Sequence, residues 1–182
     1  MNTNRNQALL AGALVVLAIA TRVLFNHLHI YNFNAVMSAG LFAGAFLGSR
    51  RVSIVIPLLA MAVTDAVIGF YDWHLMLVVY GSLAAAAIIG KWYSKNTILP
   101  RFTVSVLGGS LLFFLATNGA VWYFAGDAIY PHTLAGLARC YVQALPFFRN
   151  TLIGDMLWSV TLFGSYELLK SPVKRFAMKA AA

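Results

Sequence analysis

Six apolar runs, each cut off by charges or turn residues, take up most of the chain, at about 8–25, 34–48, 52–71, 75–92, 102–125 and 150–170. A hydrocarbon layer about 30 Å thick takes about 20 mostly apolar residues to cross, and only helices or closed barrels satisfy the backbone inside it. Runs this long and unalternating do not suit barrel strands. The chain is therefore expected to be an all-α membrane protein with six transmembrane helices, although the second run needs its flanks to complete a crossing. Composition agrees, since 61% of the 182 residues are hydrophobic and 10% are charged. A water-soluble fold has no means of hiding that much apolar surface. Residues 1–182 read as a single integral membrane domain, with no room for a soluble module.

The net charge of +8 does not point to nucleic acid, because the thirteen Lys and Arg sit between apolar runs and form no stripe with interleaved aromatics. They act as topology signals. With the N-terminus inside, the cytoplasmic segments hold Arg5, Arg50, Arg51, Lys91, Lys95, Arg101, Lys170, Lys174, Arg175 and Lys179, against Arg22, Arg139 and Arg149 outside. That bias predicts cytoplasmic N- and C-termini and a multi-pass protein of the bacterial inner membrane. Arg5 and the stretch ending at Ala18, Ile19 and Ala20 also resemble a cleavable signal peptide. The apolar run continues to Phe25, so a retained first helix is expected.

The longest connection, about 126–149, lies outside. Thr133, a candidate N-cap, precedes Leu134, Leu137, Ala138, Tyr141, Val142 and Leu145 at helical spacing, and Pro146 follows. This predicts a separate interfacial helix over about 133–145, laid across the outer mouth of the bundle.

In the second run Gly40, Gly44 and Gly48 recur every fourth residue and share one helical face, which lets another helix approach closely. That face serves either internal packing or docking of a partner membrane subunit. The ionisable residues say more, because a charge at a helix centre costs at least about 2.5–3.5 kcal/mol and is rarely kept without a partner. Arg22 closes the first run, Asp65 lies late in the third, and Asp155 early in the sixth. Asn118, Asn32, Asn34 and Arg149 fall at a similar depth. An ion pair of Arg22 with Asp65 or Asp155 would fix helix register; an outward-facing pocket for a polar small molecule would also account for the asparagines and Arg149. Phe33, Trp73, Trp122, Tyr123 and Tyr130 lie near that mouth, where Trp and Tyr are common in any membrane protein.

His27, His29, His74 and His132 fall in outer connections, but they form no HExxH and no i, i+4 pair, so no metal site is expected. The one cysteine, Cys140, excludes an internal disulfide. There is no GxSxG, P-loop or GxGxxG. The chain is read as a non-enzyme with no cofactor, unable to drive uptake by hydrolysing ATP itself.

The entry from Arg22 to Asn32 and Phe33, with GLFAGAFLGSR, PLLAMAVTDAVIGF, LFFLATNGAVWYF and YPHTLAGLARCYVQALPFFRNTLIGD, closely resembles an uncharacterised family of small bacterial membrane proteins, over roughly 22–164. More distantly, six short helices, a Gly-rich second helix and an acidic residue late in the third are similar to the substrate-binding S components of energy-coupling factor transporters. That resemblance implies an S-component-like bundle with an outward-opening pocket, partnered by a transmembrane coupling subunit with ATPases. The docking motif such components carry on their first helix is only approximated, by Ala8 and Gly12. The expected function is a substrate-binding membrane subunit for uptake of a small polar micronutrient, held by Arg22, Asn32, Asn34, Asp65, Asn118, Arg149 and Asp155. The alternative is a structural or assembly subunit that docks through Gly40, Gly44 and Gly48.

Overall fold

The computed structural model describes residues 3–47, 49–93 and 99–180. Among these residues all regular structure is helical: α1 (Thr3–His27), α2 (Val36–Phe46), α3 (Arg50–Ile68), α4 (Trp73–Tyr93), α5 (Leu99–Phe124) and α6 (Leu134–Ala180). Among the described residues four stretches, Arg5–His27, Arg50–Ile68, Trp73–Gly90 and Phe102–Phe124, are long and apolar enough to cross a membrane, against the six expected; the second and sixth runs are not among them. The large apolar side chains Leu9, Val16, Val67, Leu77 and Val104 point outward, while Asp65, Asp155, Ser38, Ser110 and Ser159 are buried. Lipid accepts that surface and water does not. The chain has the make-up of a multi-pass membrane protein.

The second apolar run departs most from expectation. It forms a helix of 11 residues, about 16 Å long at 1.5 Å per residue, so it does not complete a crossing. Val36 to Gly44 are all buried, because α2 forms the core of the bundle and touches each of the other five helices. Around it α1, α3, α4, α5 and α6 follow one another, each packed on the next. Among the described residues α1 and α6 do not meet.

Small side chains make this close packing possible. Gly40 faces α3 and α4: a Cβ there would lie 3.2 Å from the Pro57 ring and 3.8 Å from the Leu83 carbonyl. Gly44 is buried too. From the other side, Gly90 of α4 comes so near the backbone of Leu41 that a Cβ would overlap it. The face expected to be offered to a partner is therefore occupied by α3 and α4 at Gly40, and it is buried at Gly44; Gly48 lies outside the described residues. At the end of the bundle where α2 finishes, Phe42, Phe46, Phe163 and Tyr166 pack edge to face or tilted, with Phe42 and Phe163 centroids 5.2 Å apart and Phe46 and Tyr166 centroids 4.0 Å apart.

The second departure is α6. The expected interfacial helix and the sixth run form one helix of 47 residues. Thr133 caps its start as expected, its Oγ accepting the Gly136 amide at 3.1 Å. Pro146 forfeits the helical bond to the Val142 carbonyl, yet the helix continues through it. The turns before the proline are fastened to α5 by the Tyr141 hydroxyl, which donates to the Leu115 carbonyl at 2.7 Å, and by the Cys140 thiol, which donates to the Asn118 carbonyl at 3.4 Å. These anchors hold the segment against the bundle. At α4 the Asp72 carboxylate caps the first turn by accepting the His74 and Leu75 amides at 2.9 and 3.1 Å.

Two substitutions test this packing with opposite signs. Gly90→Ala should destabilise the protein by about 3 kcal/mol, since the obstacle is backbone that has no room to give. Gly12→Ala, exposed on α1 with nothing within 4 Å of an added Cβ, should be neutral or stabilise by up to about 1 kcal/mol. Unfolding of the detergent-solubilised protein, followed by circular dichroism, reads both.

Candidate functional site

The shortness of α2 creates the site. The surrounding helices run on beyond its first turn, and a cavity of about 240 Å³ stays open above Val36 and Met37. Arg22 of α1, Asn32 and Asn34 of the α1–α2 connection, Tyr71 of the α3–α4 connection, and Thr151 and Asp155 of α6 form its polar wall. Met61 of α3, Val79 and Leu83 of α4, and Phe113 of α5 join Val36 and Met37 in the apolar wall. Binding pockets commonly pair an apolar lining with a few converging polar groups in this way.

The α1–α2 connection spans the gap left between α1 and α6. Asn32 turns the chain with φ 65°, a left-handed conformation that asparagine tolerates better than most residues. The Asn150 amide donates to the Tyr31 carbonyl at 3.1 Å. Gly154 of α6 lets the connection lie directly on that helix, since a Cβ there would sit 3.2 Å from the Cα of Phe33. The start of α2 is held from both sides, as the Ala35 amide donates to Thr21 Oγ1 at 3.0 Å and the Val36 amide to Asn34 Oδ1 at 3.1 Å.

Arg22 and Asp65 form an ion pair, with Nη2 2.6 Å from Oδ1. The guanidinium also donates to Thr64 Oγ1 and to the Met61 carbonyl. The Tyr80 hydroxyl donates to the other Asp65 oxygen at 2.8 Å. Both oxygens of the fully buried Asp65 are thus engaged, and it stands behind Arg22, outside the cavity lining. Of the two partners expected for Arg22, the structure selects Asp65. Burial first, and then the nearby Asp65 carboxylate, push the hydroxyl of Tyr71 up to about 12.

Asp155 stands apart. Its carboxylate is buried and accepts the Ser110 hydroxyl on Oδ2 at 2.6 Å. Its backbone carbonyl accepts the Ser38 hydroxyl at 3.1 Å, and Ser159 donates to Ser38 at 3.0 Å. Among the described residues no Arg, Lys or His forms an ion pair with it.

Four of the seven residues expected to bind a ligand, Arg22, Asn32, Asn34 and Asp155, therefore line one cavity. Asn118 lines a smaller neighbour of about 110 Å³, which shares Asn32, Phe113 and Thr151 with the first, and its amide donates back to the Phe114 carbonyl at 2.8 Å. Arg149 is exposed and does not line the cavity. The expected aromatics are engaged elsewhere: Phe33 packs on Phe25, Trp122 donates to the Pro131 carbonyl, and Tyr130 donates to Gln143. Tyr71 and Phe113 take their place in the lining. The sequence reading overlooked Thr64, Tyr71, Tyr80, Ser110 and Thr151. Their hydroxyls lie in or beside apolar runs, Thr64 next to Asp65 and Thr151 one helical turn before Asp155, and that was the available signal.

Asp65→Ala should cost about 3–5 kcal/mol, because it strands Arg22 in the bundle without its counter-ion. The double variant Arg22→Met, Asp65→Leu should recover most of that loss, which an unfolding titration in mixed micelles would measure.

The model of a family of unknown function, DUF6580, matches residues 2–178. No curated protein and no solved structure matches the chain. Since the match covers nearly its full length, the chain belongs to the DUF6580 family of unknown function.

Proposed function

We propose that the protein is the substrate-binding subunit of an uptake system for a small polar micronutrient in the bacterial inner membrane. The observation that carries this reading is the cavity above α2: polar side chains from α1, α6 and two connections face apolar ones from α2 to α5, inside a bundle whose outer surface is apolar. A protein needing only tight internal packing gains nothing from such a space, since buried voids cost contact energy. The distribution of Lys and Arg along the sequence supports cytoplasmic termini, which turns the connections at Asn32 and Tyr71 outward. On this reading the bundle is S-component-like. Its partners are the lipid bilayer, the ligand, and a transmembrane coupling subunit with ATPases, as the chain carries no nucleotide motif of its own.

Native mass spectrometry of protein purified in mild detergent should find a retained organic molecule of low mass. Val79→Trp, which fills the apolar side of the cavity, should lose that molecule while melting within a few degrees of the parent. If the parent carries nothing and binds nothing from a cell extract, or if Val79→Trp retains the ligand, the cavity is not a binding site.

A further inference from the structure

We propose that the ligand of this cavity carries a cationic nitrogen, which pairs with the carboxylate of Asp155. This rests on the binding role given above and adds the chemical class.

Charge accounting leads to it. Arg22 is the only cation in the lining among the described residues, and Asp65 already neutralises it at 2.6 Å. An anionic ligand would have to share Arg22 with a counter-ion that Tyr80 also holds in place, and would meet a charge already neutralised. Asp155 has no such partner. It receives one hydroxyl hydrogen bond, from Ser110 to Oδ2, and among the described residues no cation pairs with it. The N-terminus of α2 lies at the same cavity and offers the equivalent of about half a positive charge. Two of its amides are already taken, by Thr21 and Asn34. A carboxyl group set in a low-dielectric bundle without a counter-charge is costly to ionise, and a cation that enters and pairs with it supplies the missing charge.

The other polar groups suit the same ligand. The Thr151 hydroxyl gives its proton to the Phe147 carbonyl at 3.0 Å, so it faces a ligand as an acceptor. The rings of Tyr71 and Phe113 line the same space, and aromatic faces attract cations. The apolar wall of Met37, Met61 and Leu83 leaves room for a hydrophobic body attached to the nitrogen.

A cysteine reporter tests this. Val79→Cys, at a lining position that makes no polar contact with the ligand, is made in a Cys140→Ala background and placed in nanodiscs, and its reaction with the neutral reagent methyl methanethiosulfonate is timed. Benzylammonium, benzyl alcohol and benzoate, alike in size and different in charge, serve as competitors. At ten times its half-effect concentration, benzylammonium should slow labelling about tenfold, and benzoate should leave the rate unchanged. Asp155→Asn, nearly isosteric and still able to accept from Ser110, should abolish the protection by benzylammonium. The ammonium-over-carboxylate order is read with Asp155 intact, so it stands as a test even if the asparagine variant does not fold. Protection by benzoate equal to or greater than that by benzylammonium, protection that survives Asp155→Asn, or no protection by any of the three overturns the cationic assignment. If the reporter cysteine does not react at all, the cavity is closed to small molecules, and the binding role falls with the assignment.

Discussion

Five helices can pack around a sixth only if the one on the axis is thin, and the α2 sequence VMSAGLFAGAF meets that demand with glycine, alanine and serine at most of its positions. Pro57 against Gly40, and Gly90 against the Leu41 backbone, mark where α3 and α4 come closest. Because the axial helix spans 11 residues and its neighbours α3, α4 and α5 span 19, 21 and 26, it cannot fill the length of the bundle. One end is closed by the rings of Phe42, Phe46, Phe163 and Tyr166. The other is left open as the cavity. A short, thin axial helix thus produces both the tight core and the space beside it.

In a low-dielectric surrounding that space is marked by unequal charge compensation. The Arg22–Asp65 pair, with Thr64 and Tyr80, joins α1, α3 and α4 and engages both Asp65 oxygens. It is a closed arrangement with a structural consequence, fixing the register of three helices. Asp155 is held by hydroxyls from α2 and α5, through its backbone and side chain, without a cation among the described residues. Both carboxylates are buried, yet only Asp155 lines the cavity. Burial alone would not separate them. The difference lies in how many of each carboxylate's lone pairs the protein has already engaged.

The α1–α2 connection links these two halves. Since α1 and α6 do not touch among the described residues, the polypeptide itself crosses the gap, pinned by Asn150 on one side and Thr21 on the other. Gly154 permits this close passage one residue before Asp155. The connection carries Asn32 and Asn34 to the cavity and positions the start of α2, so the same eight or so residues shape the roof and the floor of the site.

The sequence by itself determined that the chain is helical and apolar enough to sit in a membrane, since lipid leaves a backbone few alternatives. It also located the cap at Thr133 and singled out Arg22, Asp65, Asp155 and the asparagines, because polar residues in or beside an apolar run stand out from it. Three matters waited on the tertiary structure. An apolar run reads the same whether it faces lipid or other helices, so the shortness and the glycines of residues 34–48 hinted at close packing without placing the helix on the axis of the bundle. Two carboxylates in apolar runs were equivalent partners for Arg22 until helix packing set Asp65 beside it. Pro146 marked a break on local grounds alone, yet the helix runs through it, and the turn before it is anchored to residues more than 20 positions away in the chain, from Tyr141 to Leu115 and from Cys140 to Asn118. Polarity is a property of one segment and can be read from it; neighbours belong to the fold.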